Sequence, residues 1–402
     1  MSRQARRLRL LHVVLALNHG GTEKIVLDVV NGLPRQRFAS AVLCLDAYGA
    51  RRHEVRDDVP VYCMARRPGL RLENLAKFAR ILAAVRPDVV HFRNFTTYLW
   101  GCAVARLWRG VRVIYSDHGN IAADVYHHDH AKLLARRLLR PLTHRLLTNS
   151  ENFRHLLARC LRLDPAAIAV IPNGVDTQKF YRLPAAQRQA LRQQWGYGQD
   201  AFVIGIVASL RPVKNIALVI RALPALLAQL PQAQLALVGE GELEEELRRL
   251  AAALGVAARV RFHGRTSQVN EALNCFDVLV LPSAYGEGMP NAVLEAMAAQ
   301  VPVVASAIPG NAEALGAGSR GFLFPPDDPC ALVARLLEVA REPSRRKAKV
   351  QAAYAHVLAH LTLPRMLARY AALYREVAGG AAGKAKKEGE KRPVYATTAE
   401  DF

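Results

Sequence analysis

Two cations mark the point where an apolar run in the second half of the chain meets a helical pattern. Arg211 and Lys214 belong to the segment SLRPVKN, which follows the run FVIGIVASL and leads into the helical stretch 215–230. The start of a helix presents unpaired backbone amides and the positive end of the helix dipole. Two cations beside such a start would suit a diphosphate, although an ordinary basic turn can contain the same residues.

Two carboxylates form a second group, within the segment EGMPNAVLEA. A turn with Gly288 and Pro290 separates Glu287 from the helical stretch 291–299. We expect Glu295, about one turn inside that helix, to face back toward Glu287. Such carboxylates can accept hydrogen bonds from sugar hydroxyls, one from a ribose and one from a second sugar. Helix capping is the alternative for both acids, but Glu295 lies in an apolar face, where a carboxylate needs partners.

The first half offers two further groups at the ends of strand-like runs. Gly20 and Gly21 follow the first apolar run, 8–17, where glycine lets a ligand approach the amides of a helix start. His118 follows the run VRVIYS and could bond a sugar hydroxyl or the reacting centre. Both signals are weak in isolation, because a glycine pair is often only a turn and a loop histidine is often structural.

Metal chemistry finds little support in the sequence. The segment His127-His128-Asp129-His130 is too crowded for all four side chains to bind one ion, so Asp129 is better explained as a helix cap. No Asp-x-Asp pair occurs in the chain, so a metal on a diphosphate has no obvious carboxylate ligands. We therefore expect neither a metal nor any other cofactor.

Alternating apolar and helical runs must position these residues. In both halves, short continuous apolar runs alternate with amphipathic stretches, which indicates two doubly wound, Rossmann-like α/β domains with parallel sheets. Because ligands bind at the carboxyl edge of such sheets, we expect a cleft where two edges face each other. The last helical patterns cover 328–341 and 344–377. The polar segment 176–200 separates the halves and suggests these limits: a first domain over 1–180, a second over 181–358, a helix over 359–378 that returns to the first domain, and a disordered tail over 379–402.

The composition is that of a globular protein with a strong positive charge. Of 402 residues, 51% are hydrophobic, and the net charge is +21. Residues 1–180 contain 29 basic and 14 acidic side chains, against 26 and 20 in residues 181–402. A basic surface attracts nucleic acid, anionic lipid or phosphorylated substrates, or it is simply a solvated, Arg-rich surface. No nucleic-acid-binding module is recognisable, and no G-x-G-x-x-G follows a strand, which disfavours a dinucleotide oxidoreductase.

Three features bear on where the protein works. None of the six cysteines forms a CxxC or CxH pair, which is typical of reduced thiols in a cytoplasmic protein. No run approaches the ~20 apolar residues of a membrane span. The stretch AKLLARRLLRPLTHRLL (131–147) places Arg and Lys beside leucines, which favours docking on the inner face of an anionic membrane. A surface helix packed on the sheet is the alternative.

In their order along the chain, these segments resemble the motifs of the retaining GT-B glycosyltransferases of family 4, from about residue 8 to 377. The first half matches with GGxE at 20–23, the pair His91 and Asn94, the HG of His118 and Gly119, and IPNGVD at 171–176. The second half matches better, with R-x-x-K at 211–214, VGEG at 238–241, FHG at 262–264, EGMPNAVLEA at 287–296, and VPVVAS-x-x-PG-x-x-E at 301–313. The number and order of these segments argue against a chance match.

The resemblance implies a role for each group. Arg211 and Lys214 would hold the donor diphosphate. Glu287 would contact the donor sugar and Glu295 the ribose, while His118 would face them from the first domain. Further contacts with the nucleotide sugar would come from Gly20, Gly21, Asn173, Gly288, Met289 and Pro290. The chain departs from the family at residues 308–311, IPGN, where many members have a double glycine, which puts the local sugar contact in doubt.

The resemblance also implies a reaction, with His118, Arg211, Lys214 and Glu287 as the catalytic residues. A sugar would pass from a nucleotide diphosphate to a glycan or a polyprenyl-diphosphate-linked acceptor with retention at the anomeric carbon. Because no residue stands out as a covalent nucleophile, we expect the diphosphate to take the acceptor proton, after domain closure assembles the site.

The start and the spacing from IPNGVD to SLRPVKN are similar to those of sugar transferases in bacterial exopolysaccharide loci associated with exosortase systems. This similarity predicts a role in exopolysaccharide or cell-surface polysaccharide synthesis. A GT-B sugar-nucleotide epimerase would share the fold and the donor, and a non-catalytic basic binding protein would share the charge. Both stay open as alternatives.

Overall fold

Two parallel sheets, one in each half of the chain, organise the protein. The computed structural model describes residues 6–67, 71–108 and 110–379, apart from the side chains of residues 120 and 123. The first sheet comprises β1 (Leu8–Val14), β2 (Phe38–Cys44), β3 (Val61–Cys63), β4 (Val89–Phe92), β5 (Arg112–Asp117), β6 (Arg145–Thr148) and β7 (Ile168–Val170). Its strand order is β3-β2-β1-β4-β5-β6-β7.

The second sheet repeats this plan with one strand fewer. It comprises β8 (Phe202–Val207), β9 (Ala233–Val238), β10 (Val260–Gly264), β11 (Val278–Leu281), β12 (Val303–Ser306) and β13 (Phe322–Phe324), in the order β10-β9-β8-β11-β12-β13. In each sheet the first strand lies in the interior: β1 pairs with β2 and β4, and β8 pairs with β9 and β11. The connections leave in opposite directions at these two places, and such a switch point is where open α/β sheets bind ligands.

Helices connect the strands and cover both faces. In the first half they are α1 (Gly21–Gly32), α2 (Leu72–Val85), α3 (Phe95–Leu107), α4 (Asn120–Tyr126), α5 (His130–Leu139) and α6 (Glu151–Leu161). In the second half they are α7 (Ala185–Gln194), α8 (Ile216–Leu227), α9 (Glu244–Ala253), α10 (Val269–Cys275), α11 (Asn291–Ala298), α12 (Pro309–Ala314), α13 (Pro329–Arg341), α14 (Pro343–His360) and α15 (Leu363–Gly379). Short 3₁₀ turns lie at Arg52–Glu54, Arg140–Leu142, Pro165–Ala167, Pro212–Lys214 and Ala257–Arg259.

The strand β8 shows how the sequence builds this arrangement. Ile204 and Ile206 belong to an apolar cluster with α8 and α13, whereas Val203 belongs to the cluster that includes α10 and α11. Successive side chains of a strand point to opposite faces, so a continuous apolar run is stable only with helices on both sides. The predicted GT-B fold class of two Rossmann-like α/β halves is therefore confirmed.

The helical pattern over 344–377 contains two helices, and the second, α15, covers most of the residues given above for the returning helix. The α14 helix ends at His360, and the residues on either side of Thr362 hydrogen bond with Val175 of the segment that leaves the first half. The Val175 amide donates to the Leu361 carbonyl at 2.8 Å, and the Leu363 amide donates to the Val175 carbonyl at 2.9 Å. This pairing takes the carbonyl of Leu361 and the amide of Leu363 out of a continuous helical ladder, and α15 starts afresh from there.

The α15 helix packs on the first sheet. Met366, Tyr370 and Tyr374 share an apolar cluster with Leu10 of β1 and Ile25 of α1. The 176–200 segment, interpreted as a polar separator, contains the helix α7. The domain limits themselves stay predictions.

Residues 380–402, which make up nearly all of the predicted disordered tail, lie outside the described residues, while Gly379 ends α15. In the part of the chain that the structure describes, no helix is both long enough and apolar enough to cross a bilayer.

Candidate active site

The switch point of the second sheet brings together a predicted cation and a predicted carboxylate. Lys214 lies in the 3₁₀ turn after β8, and Glu287 lies in the loop between β11 and α11. The Lys214 ammonium forms an ion pair with the Glu287 carboxylate, and the Ser283 hydroxyl donates to the same carboxylate at 2.7 Å. The Ala284 amide also donates to the Val213 carbonyl at 2.9 Å. These contacts hold the two loops against each other.

Arg211, the second predicted cation, faces the first half of the molecule. Its side chain is exposed, and among the described residues it has no hydrogen bond or ion pair. Its charge acts on Glu23 of α1: burial raises the pKa of that carboxyl, and Arg51 and Arg211 partly oppose the rise. The Arg211 guanidinium is therefore available to a ligand on the side of the second domain that faces α1.

The glycine pair lies in the same interface. A Cβ on Gly20 would collide with the carboxylate of Glu23, which folds back over the start of α1. A Cβ on Gly21 would lie 3.3 Å from the side-chain nitrogen of Asn291, where α11 begins. Because Gly21 has no side chain, the start of α1 can approach the start of α11.

The loop with Glu287 is fixed from both sides. The side-chain amide of Asn173 donates to the Met289 carbonyl at 2.7 Å and to the side-chain oxygen of Asn291 at 3.0 Å. Met289 and Pro290 are buried, so packing of their side chains also fixes the loop. Of the predicted donor contacts, Asn173 thus positions the loop.

Two glycines allow the close packing of this loop. A Cβ on Gly288 would collide with the side chains of Asn149 and Phe153 from the first half. A Cβ on Gly310 would collide with the backbone carbonyl of Glu287. The segment IPGN lacks the usual double glycine, but its one glycine lies at the position where α12 meets the loop.

Glu295 is buried in α11 without a hydrogen-bond partner among the described residues. Its exposed fraction is 7%. Burial raises the pKa of its carboxyl to about 7, against the opposing charges of Lys24 and Lys179 and with a smaller contribution from Asp28. Lys24 and Asp28 belong to α1, so the environment of Glu295 includes a helix of the first half. None of the described contacts joins Glu295 to Glu287.

His118 follows β5 at the edge of the first sheet. Its Nε2 lies 3.0 Å from the Ser116 hydroxyl, and its Nδ1 is buried without a partner in the described ranges. Burial, and then the charge of Arg93, lower the pKa of His118 to about 3. A Cβ on Gly119 would lie 2.8 Å from the Gly286 carbonyl, so the HG segment abuts the Glu287 loop.

Two contacts between the halves were not predicted as such. The ring of Tyr285, in the Glu287 loop, stacks on Tyr126 with centroids 4.1 Å apart, and its hydroxyl lies 3.2 Å from Nε2 of His127. An aromatic residue in a loop has no periodicity that would predict such a stack.

Among the described residues no group of metal ligands forms, and Asp129 caps α5 by accepting from the Lys132 amide at 3.0 Å.

The second contact is a carboxylate that caps a helix of the opposite half. Glu313 of α12 accepts the backbone amides of Glu151 and Asn152 at 2.8 and 3.0 Å, and the Asn152 side-chain amide at 2.8 Å. The two backbone amides lie in the first turn of α6, where a helix offers them no internal partner. Glu313 is the last residue of the VPVVAS-x-x-PG-x-x-E segment, so the motif pointed to this glutamate. It gave no indication that the start of α6 would be its partner.

Comparisons with known proteins agree with this geometry. Residues 19–179 match the model of Glycosyltransferase Family 4, and residues 187–356 match the model of Glycosyl transferases group 1. A UDP-Gal:alpha-D-GlcNAc-diphosphoundecaprenol alpha-1,3-galactosyltransferase of Escherichia coli is 27% identical over 345 residues, which cover 83% of this chain and 88% of that protein. The putative glycosyltransferase EpsD of Bacillus subtilis is 34% identical over 170 residues, but the match spans only 44% of its length.

Solved structures extend the likeness over both sheets. Anabaena HepE, in a complex with UDP and glucose, superposes with a TM-score of 0.81 at 22% identity, covering 91% of this chain and 99% of that one. At this identity the likeness concerns the fold. Since the two family models together account for both halves, the chain belongs to the group 1 glycosyltransferases of family 4, and it is a glycosyltransferase.

Proposed function

We propose that this protein moves a sugar from a nucleotide diphosphate to a lipid-linked or polysaccharide acceptor with retention of the anomeric configuration. The observation that carries the proposal is the pair of Lys214 and Glu287 at the second switch point, with Arg211 beside it and without a partner among the described residues. The E. coli relative is named for a UDP-sugar and a diphosphoundecaprenol-linked acceptor, and Anabaena HepE was solved with UDP-glucose.

The ion pair suggests how donor binding prepares the site. A donor diphosphate would compete with Glu287 for the Lys214 ammonium, and Arg211 would share the negative charge. Release from Lys214 would leave the Glu287 carboxylate, still bonded by Ser283, free to accept a hydrogen bond from a hydroxyl of the donor sugar. Fixed cations that neutralise a departing diphosphate stabilise the transition state.

Retention follows from where the acceptor proton can go. As the bond between the anomeric carbon and the diphosphate oxygen breaks, that oxygen gains charge on the face that the acceptor hydroxyl approaches. The hydroxyl oxygen forms the new bond to the same face, and its proton passes to the diphosphate oxygen. No side chain forms a covalent intermediate in this scheme, and neither a metal nor another cofactor takes part. Trapping a glycosyl-enzyme, or loss of activity with a chelator, would contradict it.

The acceptor side points to a membrane. On α5, Leu134 and Leu138 have exposed fractions of 55% and 70%, and Lys132 and Arg137 are exposed on the same helix. Arg136 is buried instead, where it pairs with carboxylates, so fewer basic residues of this stretch reach the surface than the sequence suggested. Exposed leucines beside exposed cations favour adsorption to an anionic bilayer, where a polyprenyl-diphosphate-linked sugar would lie.

The biological role follows from this reading of the acceptor. We place the reaction in the synthesis of an exopolysaccharide or another cell-surface polysaccharide. Two putative Bacillus subtilis Eps glycosyltransferases among the relatives support it. Membership in the exosortase-associated subgroup stays a prediction. A sugar-nucleotide epimerase would return a new nucleotide sugar instead of a glycosylated acceptor, so product analysis by NMR separates the two activities.

The donor is best tested by a thermal-shift screen of UDP-, GDP- and ADP-sugars. One nucleotide should raise the melting temperature of the wild-type protein and leave that of Arg211→Ala plus Lys214→Ala unchanged. The matched control is Arg221→Ala plus Arg249→Ala, two exposed arginines of α8 and α9, which should keep the full shift. An equal shift in both double variants would remove Arg211 and Lys214 from the donor site.

Membrane docking has a separate test. We expect co-sedimentation with vesicles that contain anionic lipid at low salt, and its loss in Leu134→Asp plus Leu138→Asp. Leu254→Asp, which alters an exposed leucine of the second half, should sediment like the wild type. Absence of sedimentation by the wild-type protein at low salt would contradict the proposal.

A further inference from the structure

Tyr126 and Tyr285 form an aromatic stack between the two halves, beside the residue that carries the predicted sugar contact. Their ring centroids lie 4.1 Å apart with an angle of 14° between the rings, and the Tyr285 hydroxyl lies 3.2 Å from Nε2 of His127. The exposed fraction of Tyr126 is 59%, and neither tyrosine belongs to an apolar cluster of the described residues. The stack therefore lies outside the cores that hold each half together.

Tyr285 shares a short loop with Glu287, two residues further along the chain. The Ser283 hydroxyl donates to the Glu287 carboxylate at 2.7 Å. On the C-terminal side of this carboxylate, the side-chain amide of Asn173 fixes the loop through the Met289 carbonyl at 2.7 Å. On the N-terminal side, the corresponding contact with the first half is made by Tyr285. A displacement of its ring would therefore move the backbone that carries the carboxylate and its hydroxyl partner.

The Tyr126 end of the stack is anchored in the first half. Tyr126 is the last residue of α4, and the Ile121 amide of this helix donates to the Asp117 carboxylate at 3.0 Å. Asp124, also in α4, forms an ion pair at 2.6 Å with Arg136 of α5, which is buried. A side chain can fix another group only when its own support is rigid, and these buried contacts give α4 such support.

The stack also depends on how the halves approach each other. Because the two rings come from different halves, they can meet only when the halves are close together. Closure of domains around a substrate commonly completes a catalytic site, and small errors in the position of a reacting group are costly in rate. The stack would thus place the Glu287 carboxylate at the moment when the halves close.

We propose that Tyr126 is a positioning residue for glycosyl transfer, whose ring holds Tyr285 and, through it, the Glu287 carboxylate in the place where the donor sugar binds. The inference rests on the function proposed above, in which Glu287 accepts a hydrogen bond from that sugar. Tyr126 acts through Tyr285 and does not touch the donor. A stack that only joined the halves would affect donor binding and leave the loop and the turnover of bound donor unchanged.

The test compares variants that remove a ring with variants that keep it. Tyr126→Leu and Tyr285→Leu each remove one ring and keep an apolar side chain, and the double variant removes both. Tyr126→Phe and Tyr285→Phe keep the stack and remove only a hydroxyl. The matched control is Tyr181→Leu, which alters an exposed tyrosine before α7.

Hydrogen exchange follows the loop without any substrate. The probe is the Ala284 amide, which donates to the Val213 carbonyl at 2.9 Å. In Tyr126→Leu its exchange should accelerate by about two- to tenfold, the range that loss of one aromatic pair permits, although the substituted residue lies in the other half. Tyr126→Phe and Tyr181→Leu should exchange like the wild-type protein.

Steady-state kinetics separate turnover from donor binding. In each single Leu variant kcat should fall by about two- to tenfold, while the donor KM changes less. The double variant should lose no more than either single variant, because the second substitution removes a ring whose partner is already absent. The two Phe variants should keep the wild-type kcat.

Three results would overturn the proposal. The first is an Ala284 exchange rate that Tyr126→Leu leaves unchanged, and the second is a loss in kcat that multiplies in the double variant. The third is a rise in donor KM at constant kcat, which would mean that the stack only joins the halves. Since hydrogen exchange needs no donor, an absence of transfer by the wild-type protein would count against the proposed function, and the exchange rates would still decide whether Tyr126 holds the loop.

Discussion

At the switch point of the second sheet, the cations are at least partly exposed and have a replaceable partner or none. Arg211 is exposed, and Lys214 is bonded to Glu287, whose side chain is 11% exposed. At the switch point of the first sheet, Arg93 has no exposed surface, and its hydrogen bonds go to His12 and two tyrosines of α15. The same topology thus places accessible cations, Arg211 and Lys214, in the second half, which we call the exchangeable side. It places a fully buried cation, Arg93, in the first half, which we call the sealed side.

This difference suggests a division of labour. Cations that are to meet a diphosphate must be able to leave their partners, which requires access to the cleft. Arg93 joins α15 to the first sheet through Tyr370 and Tyr374 and does not have to leave its partners. The second domain would then bind the leaving group, while the buried arginine of the first domain would hold α15 in place.

The sharpest test of the exchangeable side is Lys214→Ala. Because it removes a cation aimed at the departing diphosphate, kcat should fall by about 10²–10³, as for loss of one preorganised donor. The same change in Arg221, exposed on the outer face of α8, should leave kcat within about twofold of the wild-type value. Steady-state kinetics on the identified donor measures both. A rise in KM with kcat unchanged would mean that Lys214 binds donor and transition state equally, and the proposed division would fail.

Glu295→Gln tests a site where binding and stability oppose each other. The folded carboxyl has a pKa of about 7, above its ordinary value of 4.5, so the folded protein retains a proton that the unfolded chain releases. The free energy of unfolding therefore decreases as pH rises from about 4.5 to about 7. The Gln variant lacks this penalty and should be more stable than the wild type at pH 8, by about 3 kcal/mol, and equally stable near pH 4.

The same substitution should weaken donor binding, since the ionised carboxylate is the better acceptor for ribose hydroxyls. Calorimetry should show tighter donor binding by the wild type at pH 8 than at pH 6, and no such pH dependence in the variant. Urea unfolding in the absence of ligand gives the stability. A variant less stable than the wild type at pH 8 would show that Glu295 has a stabilising partner in the unliganded protein.

The sequence predicted roles for residues at the second switch point and none for Arg93 at the first, for a physical reason. Arg211 and Lys214 follow a buried strand in a loop, and the carboxyl edge of parallel strands is a general ligand site. The signal for Glu287 was equally local. Arg93 received no role, because its meaning depends on Tyr370 and Tyr374, which are 277 and 281 residues away. Local pattern carries no information on such a partner.

The contact that separates α14 from α15 was not predicted, for the same reason. The residues over 344–377 keep a helical pattern, and the interruption at Leu361 arises from pairing with Val175. The expectation for Glu295 was local as well: its position in α11 was predicted, but the neighbouring Lys24 and Asp28 come from α1 of the other half. Contacts between segments far apart in the chain could not be predicted from the sequence, whereas residues at the ends of strands could.

The smallest expected effect concerns the contact that holds the two halves together at α6. Glu313→Ala removes a carboxylate that accepts three amide hydrogens from the start of that helix, so the free energy of unfolding should fall by about 1 kcal/mol, as for a lost helix cap. Since the cap crosses between the halves, the donor KM should rise by a few-fold while kcat stays close to the wild-type value.

The control for this change is Glu245→Ala, which removes an exposed acid from the first turn of α9. It should cost only a few tenths of a kcal/mol through the helix dipole and leave KM unchanged. If the two variants lost the same stability and neither altered KM, Glu313 would serve α6 alone. The sealed and exchangeable sides would then have to be brought into register by the loop around Tyr285 and Gly288, whose contacts with Tyr126 and Asn149 are the next ones to remove.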